Sequence, residues 1–140
     1  MKKRKKWAEK LHQPKPDEVV TIDKPMPGLP AGTKLLIPSP LLVDKFVRQV
    51  PSGHFMTPVN LRLAMASEFE ADHACPLVTG IHLRIVAEAA WEELQAGAEV
   101  STVAPFWRVI HPKSPLAKKI AAGIETIVTI QEKEGVIPQK

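Results

Sequence analysis

The chain has 140 residues, of which 44% are hydrophobic and 24% charged, so it is long enough for one globular domain with a core. No apolar run approaches the roughly 18 residues that span a bilayer, and no apolar segment follows the basic N-terminus, so we expect neither a membrane protein nor a secretory signal. A single cysteine, Cys75, excludes an internal disulfide and is compatible with a reducing cytosol, and we expect a cytoplasmic protein.

The positive charge is concentrated at the N-terminus. Residues 1–16 contain seven basic residues and one acidic residue, whereas residues 17–140 contain twelve basic and fourteen acidic residues. We predict that residues 1–16 form a disordered basic arm, in which Lys3, Arg4 and Lys5 contact DNA phosphates and release counterions. An arm that only keeps the protein in solution is the alternative.

Proline dominates the segment that follows the arm. Eight of the fourteen prolines fall within residues 1–51. Because proline fixes φ and removes a backbone donor, we expect residues 17–39 to be extended, with β-prone runs at 19–22 and 34–37. Ser39 before Pro40 is typical of a helix start, and this helix is predicted to reach about Gln49.

Three further helices are predicted. Thr57 and Pro58 repeat the cap-then-proline pattern and open a helix to about Phe69, and a longer helix extends over 76–95 before Gly97. Residues 70–73 connect these two helices, the segment 103–110 is apolar, and a last helix extends over 115–133. Two helices joined by a short connection predict a helix-turn-helix within a small α-rich domain.

Three segments carry a resemblance to a known family. Val50-Pro51-Ser52-Gly53, Pro105-Phe106-Trp107-Arg108-Val109-Ile110 and Glu134-Gly135-Val136 resemble, in that order, the frame of the DNA-binding domain of alkylguanine-DNA alkyltransferases. That family carries Pro-Cys-His-Arg-Val at its centre, and the cysteine accepts the alkyl group. Phe106 stands at the position of that cysteine, and Trp107 at the position of its histidine partner.

The resemblance extends from Leu41 to Val136 and implies an α-rich α+β, winged-helix-like domain at residues 40–136. It also implies a protein that binds DNA without transferring an alkyl group. Phe106 has no nucleophilic atom, Trp107 cannot accept a proton, and Glu134 would match the family's glutamate without its partner. The chain is similar to alkyltransferase-like proteins, which also lack the cysteine and bind alkylated DNA. We therefore expect a non-catalytic DNA-binding protein, with no metal or cofactor. A protein-interaction domain that kept the fold and lost DNA binding is the alternative.

The resemblance also places a recognition helix. Leu77-Val78-Thr79-Gly80 falls at its start, although Leu77 replaces the family's arginine and Pro58 replaces its tyrosine. Leu77 would pack in the core, the interpretation that we favour, or act as an apolar wedge, and Gly80 would allow close approach. Within the domain, the expected DNA-binding residues are Leu77, Thr79, Gly80, Arg84, Arg108 and Lys113.

Two of the candidate residues have competing interpretations. Arg108 matches the arginine of the family motif, and a structural salt bridge is the interpretation that we favour for it. Cys75 precedes Pro76 at a predicted helix start, where the helix dipole favours a thiolate. A buried, inert cysteine is the commoner arrangement, so an enzyme that uses Cys75 is a third and weaker hypothesis.

Overall fold

The computed structural model describes residues 6–139, so Lys3, Arg4 and Lys5 lie outside the described residues. Within that range the chain forms six α-helices and three short strands, an α-rich α+β fold as predicted. In chain order they are α1 Trp7–His12, β1 Glu18–Thr21, β2 Lys34–Ile37, α2 Pro40–Arg48, α3 Pro58–Glu68, β3 His73–Ala74, α4 Pro76–Gln95, α5 Pro115–Lys119 and α6 Gly123–Glu134. None of the helices in residues 6–139 is both long and apolar enough to cross a membrane.

The helix starts that the sequence predicts are confirmed by their caps. Ser39 Oγ accepts a hydrogen bond from the backbone N–H of Leu42 at 3.1 Å, and Thr57 Oγ1 accepts one from Asn60 at 3.2 Å. Each cap satisfies an N–H that has no partner inside its helix. Helix α4 ends as predicted, because Gly97 takes a φ of 101° that ordinary residues rarely adopt.

The three strands form one small sheet beside the start of α4. Strands β1 and β2 are antiparallel, and β2 pairs in parallel with β3, where Leu36 lies opposite Ala74. Strand β3 could not be predicted, because two residues are too few to show a periodicity. The backbone N–H of Cys75 donates to the carbonyl of Leu36 at 2.8 Å, which fixes the residue just before α4 against the sheet.

The prediction that residues 1–16 are disordered is wrong for Trp7–His12. These residues form α1, which packs on α4 and buries Leu11 to 5% exposure. The backbone N–H groups of Trp7 and Ala8 donate to the Glu92 carboxylate at 3.3 and 3.1 Å. A short helix is marginal by itself, so the packing against α4 stabilises α1.

The single helix predicted over residues 115–133 is also wrong, because the chain breaks it into α5 and α6. Ile120 is extended, and Gly123 takes a φ of 82°. The backbone N–H of Ala121, freed at the break, donates to the buried carboxylate of Glu88 at 2.8 Å. The backbone N–H that the break leaves free therefore has its acceptor 33 residues away, and no local pattern shows such a partner.

The core centres on the segment at 103–110. Phe106 and Trp107 are fully buried and lie in a 3-10 turn at Phe106–Arg108. Their rings pack edge-to-face, with the ring centroids 5.2 Å apart. Gln131 of α6 donates from Nε2 to the carbonyl of Trp107 at 2.8 Å. The apolar segment is thus anchored as a buried turn between α4 and α6.

A buried histidine makes stability depend on pH. His82 Nδ1–H donates to the carbonyl of Pro38 at 2.8 Å, and burial lowers the pKa of His82 below its ordinary value of about 6.5, with a smaller contribution from the charge of Lys15. Below that value the unfolded chain takes up a proton that the folded chain resists, so the stability contributed by neutral His82 is lost as the pH falls. We expect the Tm to fall when the pH is lowered from about 7 to about 5.

The variant His82→Asn tests this expectation. Asparagine supplies an N–H donor near the position of Nδ1 but does not titrate in this range. Its Tm should change less than that of the wild-type protein across the same pH interval, as measured by circular dichroism. Equal changes in both proteins would assign the pH dependence to other groups.

Candidate nucleic-acid interface

Arg108 joins the three segments that carry the family resemblance. Its Nε and Nη2 donate to the two oxygens of Glu134 at 2.9 and 2.7 Å, and its Nη1 donates to the carbonyl of Val50 at 2.9 Å. The side chains of Arg108 and Glu134 are only 15% and 16% exposed. The structural interpretation of Arg108 is confirmed, and its expected contact with DNA is corrected because the guanidinium is committed to protein partners. The carboxylate in this salt bridge is that of Glu134, which pairs with Arg108 and not with a histidine.

The charged form of Glu134 is favoured at this site. The hydrogen bonds from Arg108 hold the pKa of Glu134 below its ordinary value, against the opposing effect of burial. Gly53, in the turn after Val50, has a φ of 82° and lies close to the backbone of Glu134, so this turn requires a glycine. Arg108, Glu134 and the Val50 carbonyl therefore form a mostly buried frame that joins three segments, which we call the Arg108 frame.

The exposed face of α4 has a different composition. Leu77 is 72% exposed and Ile81 is 53% exposed, with Gly80 exposed between them. The interpretation that Leu77 packs in the core is therefore wrong. Thr79 points to the opposite side and is 1% exposed, so its expected contact with DNA is also wrong. Residues three or four positions apart share a helix face, so the sequence could have indicated that Ile81 lies on the same face as Leu77.

A groove lies along this face, between α1, α4 and α5. We call it the α4 groove; its volume is about 630 Å³, and its walls include Trp7, Lys10, Leu77, Gly80, Ile81, Arg84, Leu116 and Lys119. Two cations lie over the indole of Trp7, with Lys10 Nζ at 4.2 Å and Arg84 Cζ at 5.4 Å from the ring centroid. Such contacts hold the cations at the groove while leaving their charge in place.

A second hollow lies at the start of α3. We call it the α3 cleft; its volume is about 830 Å³, and its walls include Phe55, Thr57, Pro58, Val59, Asn60, Leu83, Val109, Ile110, His111, Lys113 and Ser114. The two hollows share Ser114 and Leu116, so the segment from His111 to Leu116 is the wall between them. Lys113, a predicted DNA-binding residue, is exposed at the edge of the α3 cleft.

The charge that lines both hollows has one sign. Lys10, Arg84, Lys113 and Lys119 contribute cations, and no Asp or Glu of residues 6–139 lines either hollow. Arg84 is partly tied to the protein, since its Nε lies 3.5 Å from Glu88 and its Nη2 donates to the carbonyl of Lys119 at 3.4 Å. Its side chain still keeps 40% exposure. The net charge of residues 17–140 does not reveal this cationic lining, because these residues include more acidic than basic side chains.

The groups that line the hollows do not form a nucleophilic site. Ser114 Oγ donates to the carbonyl of His111 and caps α5 by accepting from Ala117, so it is not paired with an imidazole. Cys75 is buried outside both hollows, against Leu29 and Leu35. Within residues 6–139 no group of three or more His, Cys, Asp or Glu side chains is arranged to hold a metal ion.

Comparison of the chain with protein-family models, curated proteins and solved structures gave no match. The resemblance to the alkyltransferase family therefore stays a prediction. It depends on the residues quoted from the sequence.

The Arg108 frame can be tested by its effect on stability. Replacing Arg108 by alanine leaves Glu134 and the Val50 carbonyl without their donors, and we expect a loss of about 2–4 kcal/mol in the free energy of unfolding. Arg108→Lys should recover little of this loss, since lysine cannot bind both carboxylate oxygens in parallel. Urea unfolding of the purified variants measures both effects.

An exposed ion pair supplies the matched control. Lys45 and Glu68 lie 3.5 Å apart with side chains about half exposed, so Lys45→Ala should cost less than about 0.5 kcal/mol. A similar, small cost for Arg108→Ala and Lys45→Ala would contradict the structural role of Arg108.

Proposed function

We propose that this protein is a non-catalytic DNA-binding protein of the cytoplasm, and that it binds DNA through the face that carries the α4 groove and the α3 cleft. The observation that carries the proposal is the lining of these hollows by four cations and, among the described residues, no carboxylate. Clustered cations in a concave surface raise the local affinity for a polyanion, whatever the net charge of the rest of the domain. Lys3, Arg4 and Lys5 would add contacts to phosphate from the arm.

We assign α3 and α4 to a winged-helix-like helix-turn-helix in which α4 is the recognition helix. Its first two turns are exposed on one side, and Gly80 leaves open space there, since a Cβ at that position would meet nothing within 4 Å. Leu77 is placed to act as an apolar wedge between base steps, as leucine does in other DNA-bending proteins. The cationic side chains beside it suit phosphate contacts.

The α3 cleft supports recognition of a damaged base. A base that leaves the stack needs apolar walls for its faces and a few polar groups for its edge. The cleft supplies Phe55, Pro58 and Val59 as apolar walls, and Asn60 and Lys113 as polar groups. This assignment also agrees with the resemblance to alkyltransferase-like proteins, which bind alkylated DNA without repair.

Binding to another protein is the second candidate, and one observation favours it. Four large apolar side chains, those of Leu77, Ile81, Val59 and Leu63, are between 47% and 72% exposed, and exposed apolar surface is typical of protein-binding sites. An apolar interface would bind with little dependence on salt, whereas phosphate contacts weaken steeply as salt is raised. Salt dependence therefore separates the two candidates.

The proposed docking face predicts opposite effects for two substitutions of Gly80. Gly80→Ala should retain DNA binding and add up to about 1 kcal/mol of stability, because alanine favours a helix and has room at this site. Gly80→Phe should fold but bind duplex DNA much more weakly, because the ring blocks approach of the helix. Fluorescence anisotropy with intact and alkylated duplexes measures the binding.

A variant with Lys3, Arg4 and Lys5 replaced by glutamine separates the arm from the domain. In this background the DNA affinity should depend less steeply on salt. Gly80→Ala should still bind duplex DNA more tightly than Gly80→Phe. Equal binding by these two Gly80 variants, in either background, would remove α4 from the DNA interface.

The non-catalytic character has its own test. Because Phe106 and Trp107 occupy the positions of the thiol and its base, the protein should gain no alkyl group from alkylated duplex. Intact-mass measurement after prolonged incubation should show the unmodified chain. A stoichiometric adduct that disappears in Cys75→Ser would contradict the proposal and assign the chemistry to that thiol.

A further inference from the structure

We infer that α1 belongs to the DNA-binding surface and that Glu92 is the residue that positions it there. The inference rests on the proposed DNA binding, and it adds an element and a positioning residue that the sequence motifs do not contain. It also names what the α4 groove holds, which is the phosphodiester backbone of one DNA strand.

Glu92 holds the first turn of α1. Its two carboxylate oxygens accept separately from the backbone N–H groups of Ala8 and Trp7, at 3.1 and 3.3 Å. The first N–H groups of a helix have no partner inside that helix, so this carboxylate satisfies two of them at once. Leu11, one turn further along, is 5% exposed and packs into the main core. These two attachments fix both the position and the direction of α1.

The fixed direction places the Trp7 and Lys10 side chains in the α4 groove. Lys10 Nζ lies over the indole of Trp7, and Arg84 lies over the same ring, so one aromatic side chain positions two cations. Lys119 of α5 lines the same groove. Without α1, the groove would lose one wall and one of its three cations.

The lining matches a nucleic-acid strand better than an apolar helix. Lys10, Arg84 and Lys119 present positive charge in a groove that is also lined by the apolar side chains of Leu77 and Ile81. Phosphates bind to the cations, while the deoxyribose groups contact these apolar side chains and the half-buried indole of Trp7. An apolar partner would have to bury these cations without counter-charges, which is costly.

The positioning role of Glu92 and its negative charge predict opposite changes in DNA affinity when the residue is removed. Removal of an acidic residue ordinarily strengthens binding to DNA, because it reduces repulsion. Removal of Glu92 should weaken binding instead, because α1 loses its attachment and Lys10 leaves the groove. Glu93, the next residue, supplies a matched control: it is exposed, its side chain makes no hydrogen bond among the described residues, and it carries the same charge.

The experiment compares Glu92→Ala, Glu93→Ala, Lys10→Gln and the double variant Glu92→Ala/Lys10→Gln in the full-length protein. Duplex binding is measured by anisotropy between about 0.05 and 0.3 M salt. We expect Glu92→Ala and Lys10→Gln each to weaken binding by up to about eightfold near 0.1 M salt, the factor that release of one counterion contributes. Each should also lower the salt slope by about one unit. Glu93→Ala should bind as the wild-type protein does, or more tightly.

The double variant and amide exchange separate positioning from a general loss of stability. Lys10→Gln should have little further effect in the Glu92→Ala background, since Lys10 has already left the groove. The amide protons of Trp7 and Ala8 should lose protection in Glu92→Ala and keep it in Glu93→Ala, as measured by NMR hydrogen exchange. Glu92→Gln, which keeps one acceptor oxygen, should give intermediate protection and intermediate affinity.

The outcomes distinguish this inference from the function on which it rests. Wild-type protein that fails to bind duplex DNA at low salt would overturn both. Wild-type protein that binds with a steep salt slope, together with equal affinities for Glu92→Ala and Glu93→Ala, would overturn only the role of α1. Additive losses in the double variant would also overturn it, because they would show that Lys10 acts without the attachment at Glu92.

Discussion

The paired hydrogen bonds between Arg108 and Glu134 are the constraint on which the rest of the structure depends. Together with the bond from Arg108 to the Val50 carbonyl, they join three segments separated by 26 and 58 residues. A partly buried ion pair stabilises only when its donors and acceptors are all satisfied, and this geometry satisfies them. The buried 3-10 turn is thereby fixed at a single position behind the α3 cleft.

Because Arg108 fixes this turn, the neighbouring Phe106 and Trp107 have a structural role in this chain. Their side chains are fully buried and form the centre of the core, and Gln131 holds the carbonyl of Trp107. The segment that resembles the reactive segment of alkyltransferases is thus a packing element in this chain. The surface beyond it remains concave and cationic, so the proposed function needs no nucleophile.

Helix α4 connects the frame to that surface. Its inward side is buried, while its first turns expose Leu77 and Ile81. Charged side chains of α4 hold its neighbours. Glu92 accepts from the first turn of α1, Arg84 donates to the carbonyl of Lys119 in α5, and Glu88 accepts from the break between α5 and α6. The two shorter elements that line the α4 groove are thus both positioned from α4, and the geometry of the groove is a property of this helix.

The sequence by itself determined the elements whose signals are local. Ser39 and Thr57 begin helices because a cap acts within three residues, and Lys34–Ile37 forms a strand between breakers. It also identified Gly80 and Lys113, which lie exposed at the proposed interface. Only the tertiary structure decided that α1 is docked, that the last helix is broken, that Leu77 is exposed and that Thr79 is buried. These outcomes depend on Glu92 and Glu88, which act on backbone groups 85 and 33 residues away, and on which face of α4 the core covers. A local pattern contains no information on partners at such separations, because they meet only when the whole chain is folded.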